Sequence, residues 1–295
     1  MKSDPDIQIR TLVAMEDMMM IEQLQLEIWP GSEVDVVPAH LLITVAKNGG
    51  AVFGAFEGQN LVGYAFGFLG TDESSPDRPA LAKLKHTSHQ LGVAPKYQSR
   101  GIGYRLKFAQ REYVLDQGIR LITWTYDPLE SRNAQLNIRR LGTICRTYVR
   151  NAYGKMRDGL NVGLSSDRFL VEWWVTSPRV VSRIENSRPP LDLASFLGAG
   201  AEKINPASLR DDHLPVPPDA VQYTDAMIYL VEFPSDIQAL KKADPPLAAA
   251  WRQQTREIFE TVFSKGYLIT DFIYLRGEKF PRSYYILSYG EGTLG

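Results

Sequence analysis

The sequence predicts an α/β (α+β) chain in which strands and helices are interleaved. Three features carry that prediction. Runs rich in β-branched and aromatic residues recur between glycine and proline stops. Two stretches read helix, glycine, strand, at Gln117-Gly118-Ile119 and Lys265-Gly266-Tyr267. The stretch from Leu91 to Gly103 passes from a strand through a proline turn at Pro95 into a glycine-rich helix start.

In chain order, Ile7, Ile9 and Leu12 suggest a first strand. Asp17 then caps a helix whose apolar face is Met18, Ile21, Leu24, Leu26 and Ile28, stopped by Trp29-Pro30-Gly31. A short helix covers His40 to Val45, and strands Ala51–Phe56 and Leu61–Leu69 form a hairpin across Glu57-Gly-Gln-Asn60. Asp72 to Pro79 reads as a polar loop and Lys85 to Val93 as the next strand. A long helix runs to Gln117 with Gly118 as its stop, a strand spans Ile119–Tyr126, and a helix covers Ser131–Leu141. Ile144–Tyr153 and Phe169–Val175 read as two closing strands.

Residues 1–176 are therefore expected to form one domain. Residues 177–220, with Pro178, Pro189, Pro190, Pro206, Pro215, Pro217 and Pro218, read as a connector with short helical pieces. Residues 221–295 read as a smaller α+β block: a strand Met227–Phe233, a helix Pro246–Lys265, and strands Tyr267–Leu275 and Tyr284–Tyr289. At roughly seventy residues it is near the lower limit for an independent core, so it is expected to pack on the first domain or on a partner chain. Its helix opens with Asp244-Pro-Pro-Leu and lacks a glycine pair, so it does not repeat the Gly101/Gly103 loop.

Composition narrows the function classes. The 295 residues carry 33 basic and 34 acidic side chains, a net charge of −1, so there is no global field to hold nucleic acid. The single cysteine, Cys145, has no disulfide partner within the chain, and no Cys/His spacing suits zinc; neither a metal nor an oxidising compartment is expected. The N-terminus is polar, and no segment supplies the ~20 apolar residues of a membrane helix, so a cytoplasmic protein without a membrane partner is expected.

The glycine loop admits three readings, and its flanks separate them. A nucleotide P-loop needs Lys-Ser/Thr after its last glycine, whereas Tyr104-Arg105 follows Gly103. A Rossmann fingerprint needs a third glycine where Leu106 stands. What remains is Gln98-x-x-Gly101-x-Gly103 behind Val93-x-Pro95, leading into a helix whose positive end would receive a pyrophosphate.

That string resembles motif A of the GNAT superfamily of coenzyme A-dependent N-acyltransferases, and the order of elements from about Ile7 to Val175 is the GNAT order too. The resemblance implies a central mixed, mostly antiparallel sheet splayed between its fourth and fifth strands. It also implies acetyl-CoA or another acyl-CoA as co-substrate. Backbone groups of Leu91, Gly92 and Val93 would bind the pantetheine arm, with Gln98, Ser99, Arg100, Gly101, Ile102, Gly103 and Tyr104 around the pyrophosphate. Asn133, Asn137 and Arg140 on the later helix would add cofactor contacts, the competing reading being a solvated helix face.

The chemistry needs a neutral amine and a polarised thioester carbonyl. His89 stands where the family often places its base, and an imidazole of pKa ~6.5 suits that task. His86 is the second candidate on this strand, on the opposite face by alternation; a hydrogen-bonded core histidine is the competing reading for both. The family's usual acid is a tyrosine in a slot held here by Ile138, which cannot donate a proton. Tyr126, Tyr148 and Tyr153 are alternatives. Asp127, in Thr123-Trp-Thr-Tyr-Asp-Pro-Leu-Glu130, is expected at the cleft mouth with Glu130 and Arg132.

This segment, His86-Thr-Ser-His89 and the C-terminal block together resemble a bacterial GNAT branch of about this length. Its relatives include N-acyltransferases linked to N-acylamino acid racemases. That implies acetylation or succinylation of a small-molecule amine, an amino acid among the candidates, with a homodimer as a candidate assembly. The readings that compete with an enzyme are a non-catalytic acyl-CoA-binding module and an interaction scaffold.

Overall fold

The computed structural model describes residues 6–290 except 32, 73–76, 78, 157–158, 160–161, 188 and 278–279. Most of the loop expected at Asp72 to Pro79 lies outside the described residues. The chain forms two compact units, Met1–Trp124 with Arg157–Leu160, and Thr125–Met156 with Asn161–Gly295.

The first unit is built on strands β1 (Ile7–Thr11), β2 (Ala51–Glu57), β3 (Asn60–Thr71), β4 (Leu84–Val93) and β5 (Leu121–Tyr126), hydrogen-bonded in that order. The first four pair antiparallel, and β5 runs parallel to β4. Helices α1 (Met15–Ile28) and α2 (Ala39–Lys47) bury Met18, Ile21, Leu24 and Leu42 against Phe56, Tyr64 and Phe66. Helix α3 (Ile102–Asp116) buries Ile102 and Leu106 in a second cluster with Phe53, Ala55, Val62 and Ala65. Ala65 thus serves one face of β3 while Tyr64 and Phe66 serve the other, as strand alternation requires.

Asp17 does not cap α1. The helix starts at Met15 with Ala14 at the cap position and no side-chain cap bond, and Asp17 lies in the first turn. There its carboxylate still favours the positive end of the helix dipole.

The second unit takes α4 (Ser131–Ala134), β6 (Ile144–Val149), β7 (Arg168–Trp174), α5 (Pro178–Ile184), α6 (Leu193–Gly198), β8 (Glu202–Lys203), the small pair β9 (Ser208–Leu209) and β10 (Pro215–Val216), β11 (Ile228–Phe233), α7 (Ile237–Ala243), α8 (Pro245–Ser264), β12 (Tyr267–Leu275) and β13 (Arg282–Tyr289). Its main sheet runs β7-β6-β12-β13-β11-β8, antiparallel except for the last pair. Cys145 on β6 lies opposite Ile269 on β12, so strands from residues 144–174 and 228–289 share one sheet.

An aromatic core holds this unit together: Phe169 meets Phe259 on α8 edge-on at 4.7 Å and Tyr285 on β13 at 5.3 Å. Helix α8 starts as Asp244-Pro-Pro predicts, with the Asp244 carboxylate accepting from the Leu247 N–H at 2.9 Å and proline in the first turn.

Two expected elements differ. The helix over Ser131–Leu141 is α-helical only to Ala134 and continues as a π turn over Gln135–Arg140, with Leu141 N–H donating to Leu136 O at 3.0 Å. The strand expected to reach Tyr153 stops at Val149. Asn151 takes φ of +46°, and its N–H turns to Asp167 Oδ1 at 2.9 Å instead of continuing the ladder.

Candidate active site

Strand β4 is the organising element of the first unit's site. It pairs with β5 at only two positions, His86 with Ile122 and Thr87 with Thr123, although β4 runs on to Val93. From Ser88 to Val93 its other edge stays on the β3 ladder. An extended ligand can therefore use the backbone donors and acceptors of the β5-side edge, in the manner of an added strand.

A β-bulge sits at the head of this stretch. Phe66 pairs with Gln90 and Gly67 with Ser88, which leaves His89 as the extra residue. A period-two reading of the sequence gives no sign of it. His89 lies edge-on to Phe66 at 5.2 Å and beside Phe68 at 6.0 Å. Apolar burial of that side lowers its pKa from the usual histidine value, favouring the neutral ring. His86 and Ser88 lie inside, against α3.

The far end of the edge leads into the glycine loop. Gln98 Nε2 donates to Val93 O at 3.3 Å, closing the turn that Pro95–Tyr97 makes. Ser99 and Gly101 take left-handed φ values of +65° and +82°, the second being the conformation for which glycine is suited. Gly101 is also the N-cap of α3. It offers no side-chain cap, and the first turn holds no acidic residue, so the leading N–H groups and the positive helix end have no carboxylate of their own. Ile102 puts its side chain in the core and Gly103 lies in the first turn. Arg100 is engaged with Glu57 at 3.3 Å, while Tyr97 donates to the same carboxylate at 2.6 Å. Gly92 answers a different need: a Cβ there would come within 2.7 Å of Ile28 and 3.1 Å of Trp29.

Beneath β4 lies a buried polar group that sequence reading missed. Lys107 Nζ lies 2.6 Å from Ser88 Oγ, 3.2 Å from Gln110 Oε1 and 3.6 Å from the centre of the Trp124 ring. Gln110 Nε2 in turn lies 3.1 Å from His86 Nε2. Burial lowers the Lys107 pKa well below the ordinary lysine value. His86 falls to about 3, from burial first and the neighbouring Lys107 second. The available signal was helical spacing: Lys107, Gln110 and Val114 recur on one buried face of α3.

The second unit holds the remaining candidates. Asp127 accepts from Arg252 Nη2 of α8 at 2.7 and 2.6 Å and from the Leu129 N–H at 2.8 Å, with Arg168 at 3.6 Å. Arg252 is 3% exposed, and its pairing with Asp127 was not legible in the sequence. Asn133 is exposed on α4, whereas Asn137 is buried and Arg140 half-buried on the π turn. Ile138 is fully buried. Of the three tyrosines, Tyr126 is enclosed and bonded to Tyr285, Tyr148 donates to Asp167 at 2.7 Å, and Tyr153 is half exposed beside Thr125 Oγ1 at 2.6 Å. Cys145 is buried with its thiol pKa pushed up, which makes it a poor nucleophile.

Residues 15–142 match the model of the Acetyltransferase (GNAT) family. This stretch is a GNAT acetyltransferase domain. The splay of β4 from β5 and the Gln98–Gly103 loop both fall inside it. No curated protein matches the chain. Among solved structures, Arabidopsis thaliana NAA60 in complex with acetyl-CoA is 17% identical, covering 57% of this chain and 99% of its own, with a TM-score of 0.46. The ribosomal-protein-S18-alanine N-acetyltransferase of Escherichia coli is 14% identical over 56% of this chain and 92% of its own, TM-score 0.42. An aminoglycoside acetyltransferase from an uncultured soil metagenomic sample is 17% identical over 44% and 84%, TM-score 0.38. Among the described residues, no helix is long and apolar enough to cross a membrane.

Proposed function

We propose that this GNAT protein moves an acyl group, acetyl or succinyl, from its coenzyme A thioester to a primary amine of a small molecule, an amino acid being one candidate. The observation that carries the reading is the open edge of β4 from Ser88 to Val93, which ends at a left-handed glycine and an uncapped helix. The edge suits an extended amide-bearing arm, and the helix end suits a pyrophosphate. Leu91, Gly92 and Val93 would meet the pantetheine, and Ser99 to Gly103 the phosphates.

His89 is the proposed base. It is exposed, sits on the bulge, and its lowered pKa keeps the imidazole ready to take the ammonium proton, directly or through a water. His86 is enclosed and takes no proton from an amine in this reading. The neutral amine then attacks the thioester directly. With Ile138 buried in the usual tyrosine slot, the thiolate leaves without help from that position, which a thiol pKa of ~8.5 permits. The same isoleucine favours the second reading, an acyl-CoA-binding module without turnover.

The test is release of free coenzyme A from acetyl-, propionyl- and succinyl-CoA against amino acids of both configurations, polyamines and aminoglycosides. Amine-dependent release establishes the enzyme. Tight binding of every thioester with no release under any amine establishes the module.

A further inference from the structure

The polar group under β4 is unusual for the space between a helix and a sheet. A lysine there ordinarily pairs with a carboxylate, because an unpaired buried ammonium is costly. Lys107 is 2% exposed, and no ion pair involves it among the described residues. Its neighbours are a serine hydroxyl, a carboxamide and an indole face, none of which carries charge. Burial accordingly holds Lys107 toward the free amine.

A neutral lysine amine in contact with a serine hydroxyl is the arrangement by which Ser–Lys enzymes make a nucleophile. The contact is short, 2.6 Å, and Gln110 fixes the amine through its Oε1. The location matters as much as the chemistry. Ser88 directly follows Thr87, the last β4 residue paired with β5, so its backbone heads the open edge whose other end is the glycine loop, while its side chain, 4% exposed, turns in to Lys107. Because His89 is the extra residue of the bulge, Ser88 to Val93 lies opposite the four steps from Gly67 to Gly63 and spans about 13 Å of strand, at ~3.3 Å each. An arm lying along that edge with its phosphates at Gly101 directs its thioester toward the Ser88 end.

We propose that Ser88 and Lys107 form a serine–lysine dyad through which the protein acylates itself on Ser88 when an acyl-CoA is bound and no amine is present. The inference rests on the acyl-CoA reading above. The Lys107 amine takes the proton of the Ser88 hydroxyl as Oγ bonds to the thioester carbonyl carbon. The carbon–sulfur bond then breaks with its electron pair leaving on sulfur, and the Lys107 ammonium returns the proton to the thiolate. The products are an acyl ester on Ser88 and free coenzyme A.

The experiment incubates the full-length protein with acetyl-CoA and no amine, then reads intact mass and maps the adduct. One acetyl group on the peptide containing Ser88, released by hydroxylamine, is expected. Ser88→Ala removes it, and Lys107→Met slows its appearance by about 100-fold or more, the loss typical of a missing general base. Ser88→Cys, nearly the same size, should yield a thioester adduct labile to hydroxylamine at neutral pH, which covers the case in which the alanine variant folds poorly. An unmodified Ser88 in protein that binds coenzyme A by calorimetry overturns the dyad and leaves the acyl-CoA reading standing. A hydroxylamine-stable adduct on Lys107 also overturns it. Absence of coenzyme A binding overturns both.

Discussion

His86 makes the chain's stability depend on pH in a way that one substitution can isolate. It is fully buried, and its pKa in the folded protein is lowered to about 3, whereas an unfolded histidine titrates near ~6.5. A group depressed on folding leaves stability intact above its unfolded pKa and erodes it as pH falls, because the unfolded chain binds the proton first. The window therefore runs downward from about pH 6.5. At pH 7 the penalty is about 0.2 kcal/mol and at pH 5 about 2 kcal/mol, so acidification over that range costs roughly 1.8 kcal/mol from this residue. Lys107, whose pKa burial also lowers, is common to both proteins compared. The assay is urea unfolding of the wild type and His86→Gln at pH 7, 6 and 5. The variant keeps a polar side chain toward Gln110 and cannot titrate. Its unfolding free energy should fall by about 2 kcal/mol less than that of the wild type. Parallel losses in the two proteins would show that His86 is not held neutral, and would refute this account of the cluster beneath β4.

The other predictions concern the site and the second unit. Gly103→Val should weaken coenzyme A binding at least tenfold, ~1.4 kcal/mol, by calorimetry with the circular dichroism spectrum unchanged; unchanged affinity would remove the loop from the argument. His89→Ala should lower turnover by about 10²-fold with coenzyme A affinity nearly constant, and should shift the acidic limb of the pH–rate profile; turnover within a few-fold of wild type would demote it to a packing residue. Arg252→Met leaves the Asp127 carboxylate without its closest cation and should destabilise by ~3 kcal/mol in urea, as broken buried pairs do; a change under ~0.5 kcal/mol would mean the pair contributes little. A chain ending at Ser177 lacks β12, β13 and α8, so Phe169 loses its partners Phe259 and Tyr285. It should lose solubility or bind an exposed-apolar-surface dye, and a soluble truncation with full amine turnover would show the C-terminal strands to be dispensable.

Much of the fold was legible because its causes are local. Apolar alternation marked β2, β3 and β12, proline and glycine marked the ends of α1 and α3, and Asp244-Pro-Pro marked the start of α8 to within a residue. The glycine loop was legible for the same reason, since left-handed backbone at Gly101 and an uncapped helix start are set by the residues that adopt them. Asp17 misled because an aspartate in a first helical turn and one at the cap look alike in sequence, and the choice between them depends on where the preceding strand releases the chain. The π turn over Gln135–Arg140 was invisible, because one extra residue in a helix leaves apolar spacing almost intact.

By itself, the sequence determined most of the strand and helix order between Ile7 and Val175, the glycine-rich turn into a helix over residues 98–103, and the absence of a tyrosine at Ile138. Each of these depends on residues close together in the chain. Tertiary structure alone decided where β4 leaves β5, that a bulge turns His89 outward while Ser88 faces in, and that Lys107 meets Ser88 without a countercharge. It also decided that Arg252, 125 residues away, is the partner of Asp127. The physical reason is that pairing register, burial and the electrostatic field at a side chain arise from segments distant in sequence. A lysine reads as a surface residue until the fold shows that water cannot reach it.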